Sequence, residues 1–175
     1  MGKRYLLVVA AVLACVLVWA APQLSILLPG SRTIGDWVIY AAADRGAYTE
    51  KGLYDLYDGD VPHLKKFGLK AAHQRVYKSG DKRLIVDLLR LDSSQHAKAL
   101  YRERIAGLTK LPGCKTPLSG VKEQGLLVPS GGVTIVYFWQ KTYLCSISVF
   151  GTTSTQQQTA VTFARWISNK IRTSG

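Results

Sequence analysis

Residues 5–21, Tyr-Leu-Leu-Val-Val-Ala-Ala-Val-Leu-Ala-Cys-Val-Leu-Val-Trp-Ala-Ala, are 17 consecutive apolar positions placed directly after Lys3 and Arg4. A basic start followed by an uninterrupted apolar run is an export signal. It fixes the address of everything that follows. As a helix the run spans about 25 Å, the short end of what a bilayer core needs, and Leu24 to Leu28 can extend it. Tyr5 and Trp19 fall near its two ends, where interfacial aromatics are expected.

Three fates compete for this segment. Cleavage after Ala20 would use Val18-Trp19-Ala20, a site weakened by bulky Trp19 and by Pro22 just beyond the cut. Lipidation at Cys15 would leave six more apolar residues where a polar tether is usual. Retention as a single-pass anchor fits best, with Lys3 and Arg4 holding the N-terminus in the cytoplasm by the positive-inside rule. Residues 1–32 are therefore expected to be an anchor with a linker marked by Pro29-Gly30-Ser31. Residues 33–175 then form one domain on the periplasmic side of a bacterial inner membrane.

The remaining chain is compositionally an ordinary folding domain. Of the whole 175 residues, 47% are apolar and 19% charged, which excludes disordered, collagenous and disulfide-dense classes. Leu53, Leu56 and Tyr57 read as a helix that closes at Gly59 ahead of Pro62, with Leu64 and Phe67 on a further turn. Residues 71–77 and 83–91 read as strands joined by a Ser79-Gly80-Asp81 turn, with Leu84, Val86 and Leu88 alternating on one face and Asp87 opposed to them. A helix follows with Ala97, Leu100, Tyr101, Ile105 and Leu108 on one stripe. Three more strands near 120–128, 132–140 and 142–150 precede a last helix carrying Ala160, Phe163, Ala164, Ile167 and Ile171. The fold class is α+β: an antiparallel sheet of about five strands with the helices packed on one face, preceded by the N-terminal transmembrane helix.

The stretch Gly52-Leu53-Tyr54-Asp55-Leu56-Tyr57-Asp58-Gly59, with Phe67-Gly68-Leu69 and the following hairpin and helix, resembles an uncharacterised bacterial envelope family with a Leu-Tyr-Asp-x-x-Asn/Asp-Gly motif. The resemblance covers about residues 35–105 and implies an exported, anchored domain; it brings no reaction. The chain departs from the family pattern at Asp58, Asp60-Val61 and Pro62. A weaker likeness, through Leu28-Pro29 and Gly35-Asp36-Trp37, is to exosortase-associated exported proteins, whose His and Cys motif is missing.

Chemistry is thinly signalled. Asp55, Asp58, Asp60 and His63 make the one acidic knot, a weak candidate for a hard cation because the spacing lacks the EF-hand pattern, and otherwise a capped helix end. No other cofactor is implied. Cys114 and Cys145 are an even pair in an oxidising compartment and are expected to form a disulfide. The net charge is +12, of which Lys3 and Arg4 supply two and the rest of the chain +10. Lys65, Lys66, Lys70, Arg75, Lys78, Lys82 and Arg83, with Lys98, Arg102 and Arg104, suggest a basic face suited to anionic lipid, acidic glycan or an acidic protein. The exported address argues against nucleic acid, as do aromatics that fall on core faces. The sequence thus favours a non-catalytic, membrane-anchored accessory subunit of an envelope complex. Its rivals are a metal-assisted or exosortase-linked envelope enzyme and a lipid- or glycan-binding module.

Overall fold

A computed structural model describes residues 23–174. The expected anchor, the cleavage site after Ala20 and Cys15 all lie outside the described residues. Among the described residues no helix is long and apolar enough to cross a membrane.

Six antiparallel strands form one sheet in the order β1-β2-β3-β6-β5-β4. They are β1 Val38–Ala47, β2 Leu69–Ser79, β3 Lys82–Leu91, β4 Gln124–Ser130, β5 Val133–Gln140 and β6 Tyr143–Phe150. The helices are α1 Glu50–Tyr57, α2 Val61–Lys66, α3 Ser94–Arg104 and α4 Ser154–Thr173, with 3-10 turns at Leu24–Leu27, Asp58–Asp60 and Leu108–Lys110. Pro62 does not end a helix, as the sequence suggested; it sits in the first turn of α2, where its missing N–H breaks no bond. Thr49 and Ser93 cap α1 and α3 by accepting the N–H of Gly52 and of His96.

The sheet has helices on both faces, not on one. Register alone explains this. Leu84, Val86 and Leu88 of β3 lie beside Cys145, Ile147 and Val149 of β6, and this face is buried under Phe163, Ile167 and Ile171 of α4. The alternate positions Leu89 and Leu91 lie with Leu144 on the other face, packed under Leu53, Leu64, Ala97, Leu100 and Tyr101 from α1, α2 and α3. Strands apolar on both faces need cover on both, and residues 84–91, with their near-continuous apolar run, are of that kind.

The segment expected to be a linker is part of the fold. Leu24, Leu27 and Leu28 are 0%, 4% and 3% exposed and join the α4-side core. Burying three leucines contributes roughly 5–9 kcal/mol at most by area, too much for a passive tether. The sixth strand, β1, completes the edge. Its register shifts between Ile39 and Asp44, so its side chains do not alternate cleanly and it was not foreseen.

Candidate functional site

Asp55, Asp58, Asp60 and His63 are not gathered into one site. Asp55 is exposed on α1, and Asp58 terminates α1 at a positive φ of 44° with its N–H bonded to the Tyr54 carbonyl. Asp60 is held by Arg104 Nη2 at 2.6 Å, and His63 Nε2 lies 2.7 Å from Glu103 Oε1. Both partners come from the end of α3, so these groups dock α3 against the α1–α2 connection. Among the described residues no three His, Cys, Asp or Glu side chains converge as metal ligands.

The expected disulfide does not form. Cys145 is wholly buried on the α4 side of the sheet, whereas Cys114 packs against the core on the opposite side. The sheet itself stands between two thiols that need Cα atoms within about 7 Å to bond. Both are free, and burial pushes both thiols above their usual range.

The expected basic face is also divided. Lys78, Lys82 and Arg83 sit at the β2–β3 hairpin tip, whereas Lys65, Lys66 and Lys70 sit at the opposite end, eight positions or about 26 Å away along β2. Lys65 is paired with Glu50, and Lys78 Nζ lies 3.5 Å from the centre of the Tyr40 ring. Arg75 is not at the surface at all.

Arg75 is 6% exposed and is the centre of a polar clamp on the N-terminal segment. Its Nε and Nη2 donate to the two oxygens of Asp44 at 2.9 and 3.1 Å, a forked pair across β1 and β2. Its Nη1 donates to the carbonyls of Ser25 and Pro29, each at 3.3 Å. The Tyr77 hydroxyl donates to the same Pro29 carbonyl at 2.7 Å. On the other side of Asp44, His73 Nε2 approaches Oδ1 at 2.6 Å while its Nδ1 faces the Tyr48 hydroxyl at 3.4 Å. Tyr48 in turn accepts the Leu24 N–H at 2.9 Å, and since an ionised Asp44 carboxylate can only accept, the bond from His73 places a proton on Nε2. Gly46 makes room for this arrangement, since a Cβ there would stand 2.6 Å from the Tyr48 ring. Burial alone raises the Asp44 pKa, but the bonds from Arg75 and His73 prevail and hold the carboxyl below its usual value. Burial likewise opposes the charge of Arg75, and its bond to Asp44 together with its interactions with Tyr77 and the Asp44 charge more than offsets that.

A second half-buried acid lies on the sheet face that carries α1 to α3. Asp87 of β3 accepts from Gln74 Nε2 at 2.9 Å and from the Tyr57 hydroxyl at 3.4 Å. Burial drives its carboxyl above the usual range, against those two bonds, and also drives the Tyr57 phenol up. Asp87 lies in a cleft of about 220 Å³ with Tyr57, Asp60, Arg104, Tyr137 and Ser146. The cleft marks where the helices stop. Beyond it, toward the hairpin tip, Val76, Ile85 and Ser148 stand side by side on three neighbouring strands, half-exposed and outside either core. Exposed Arg83 and Phe150 and half-exposed Lys78 border them. A larger, open groove of about 660 Å³ on the other face is lined mainly by hydroxyl and amide side chains of α4 with Trp37 and Lys82, and no buried ionisable group faces it.

The cleft and its sheet face offer a half-buried acceptor, two phenols and an apolar strip bordered by cations. One local signal for them existed in the sequence: a lone Asp87 within Leu-Ile-Val-Asp-Leu-Leu. Tyr57, Gln74 and the Asp44–His73–Tyr48 set carry no such signal, because only strand pairing brings them together.

No protein-family model matches the chain, and no curated protein matches it in sequence. The fold is similar to the crystal structure of the extracellular domain of PknH from Mycobacterium tuberculosis, with a TM-score of 0.52 and 12% identity. The match covers 85% of this chain and 94% of that one, which establishes a shared architecture of mixed α/β type.

Proposed function

We propose that this chain is an exported, non-catalytic accessory subunit, held at the bacterial inner membrane by residues 5–21 and binding an envelope protein on the periplasmic side. The observation that carries the reading is the open half of the sheet, where Val76 and Ile85 lie uncovered between Lys78 and Arg83. Sheet faces that meet water are ordinarily polar, so an apolar strip bordered by Lys78 and Arg83 suits a partner whose apolar patch is edged by acidic groups. The likeness to an extracellular domain supports the exported address, as does the basic-then-apolar start.

The test uses the full chain extracted in mild detergent, wild type beside Ile85→Glu and the Lys78→Glu, Arg83→Glu pair. One protein should co-migrate stoichiometrically with the wild type and be lost from both variants, while circular dichroism and membrane retention stay unchanged. A wild-type chain that migrates alone, or a partner retained by both variants, overturns the proposal.

A further inference from the structure

The end of the sheet at which the described chain starts differs in charge from the rest. Leu24 donates its N–H to Tyr48, the residue that follows the last residue of β1, so the chain enters the fold beside the C-terminal end of that strand. The same end of the antiparallel sheet carries the beginning of β2, the β5–β6 turn and the C-terminus of α4, as the bond from Lys141 Nζ to the Ile171 carbonyl shows. Exposed there are Lys66 and Lys70 beside the start of β2, Lys122 before β4, and Lys170 and Arg172 in the last turn of α4. Three acids of this end are engaged, Glu50 with Lys65, Asp92 with His96, and Glu123 with the Lys141 N–H, while Asp55 lies exposed beside Ala47.

We infer that this end docks flat on the bilayer and binds the headgroups of anionic phospholipids through Lys66, Lys70, Lys122, Lys170 and Arg172. The inference rests on the proposed anchoring by residues 5–21. That apolar run ends at Ala21, two positions before the first described residue, and the next residues are clamped to the sheet by Arg75, Tyr77 and Tyr48. By sequence, two residues, Pro22 and Gln23, separate the proposed membrane segment from the bonded Leu24. A domain so joined must bring the strand end next to Leu24 to the lipid surface, and the side chains found at that end are cations. Within a Debye length of an anionic surface, each of them is attracted. The hairpin tip with Lys82 and Arg83 is carried to the far end instead.

The test places the full chain in nanodiscs of phosphatidylcholine alone or mixed with phosphatidylglycerol and follows backbone hydrogen exchange. Residues 66–70, 120–123 and 168–173 should exchange more slowly in the anionic discs and revert at high salt, with residues 78–83 unaffected. In the Lys66→Gln, Lys70→Gln and Lys170→Gln, Arg172→Gln variants the docked-to-undocked ratio should fall about fivefold per residue removed. Equal exchange in both lipids, or protection at 78–83 instead, overturns the docking and leaves the anchor standing. A chain that alkaline carbonate strips from vesicles overturns the anchor, and the docking with it.

Discussion

Replacing Arg75 with methionine is expected to cost about 3 kcal/mol and to release the N-terminal segment before the rest of the domain. Breaking a buried ion pair by removing one partner costs about 3–5 kcal/mol, because the remaining charge is stranded. Here the Arg75 side chain is 7% exposed and that of Asp44 26%, so water reaches the stranded carboxylate in part. Asp44 also keeps its contact with His73 Nε2, and the Pro29 carbonyl keeps the Tyr77 hydroxyl. Those three facts place the loss at the low end of the range. The two bonds from Nη1 to Ser25 and Pro29 are long, and losing them adds little. For a domain of this size about 3 kcal/mol corresponds to a fall in Tm of about 6–12 °C.

Thermal unfolding by circular dichroism measures the magnitude, and hydrogen exchange measures the place. Amides of residues 24–39 should exchange faster in the variant by more than those of β3 and β6. Acid gives an independent check of sign. The Asp44 carboxyl titrates below its unfolded value of 3.8, so its contribution is present above that pH and is lost as pH falls through the folded value. The stability gap between wild type and Arg75→Met should therefore narrow in acid. A loss below about 1 kcal/mol, the worth of a surface pair, would refute the clamp, as would acceleration spread evenly over the sheet.

Asp87→Asn is expected to raise stability at neutral pH. The Asp87 carboxyl is raised by burial, so its charged form opposes folding at all pH values above its folded pKa; the gain should vanish below pH 3.8, where both states are protonated, and a variant less stable at pH 7 would show that the charge is needed. The hydroxyl of Tyr101, whose pKa burial pushes up to about 12, is buried with no hydrogen-bond partner, whereas that of Tyr77 donates to Pro29. Tyr101→Phe should be neutral or stabilising in urea unfolding and Tyr77→Phe should cost about 1–2 kcal/mol; the reverse order would mean the two networks are misassigned. Under non-reducing conditions, alkylation followed by intact-mass measurement should find Cys145 unmodified in the native protein and both Cys114 and Cys145 modified after unfolding; a mass two protons lower that resists alkylation would indicate the disulfide.

The regular elements were legible wherever local pattern and tertiary role agree. Leu84, Val86 and Leu88, and Cys145, Ile147 and Val149, alternate because that face of each strand packs under α4, and Ala160, Phe163, Ala164 and Ile167 recur at helical spacing because they face the same core. Strand β1 was illegible because its bulge breaks the alternation and its edge position leaves Val38 and Tyr40 exposed. Leu24, Leu27 and Leu28 misled in a different way: apolar residues beside an apolar run look the same whether lipid or protein buries them. Arg75 was counted with its basic neighbours in sequence, but its burial is decided by Asp44, 31 positions away, across a strand pair that local pattern does not encode. Cys114 and Cys145 make an even pair in the exported part, and pairing needs proximity that a count does not contain.

The clamp also restricts how a partner can be met. A flexible linker of ten residues would let the domain wander over about 17 Å and turn freely. With residues 5–21 in the bilayer as proposed, the fixed N-terminal segment instead sets the open sheet half at one height, about a strand length or 30 Å above the lipid, and in one orientation. A partner anchored in the same membrane then meets Val76, Ile85 and Arg83 at high effective concentration only if its own surface sits at that height. Inserting a short Gly-Ser stretch between Pro22 and Gln23 leaves every clamp bond in place while restoring the slack. Unfolding temperature and membrane retention should not change, but the fraction of chain recovered with its partner in mild detergent should fall. An insert that leaves this fraction unchanged would show that the partner follows the domain wherever it moves, and that the rigid junction serves the stability of the fold alone.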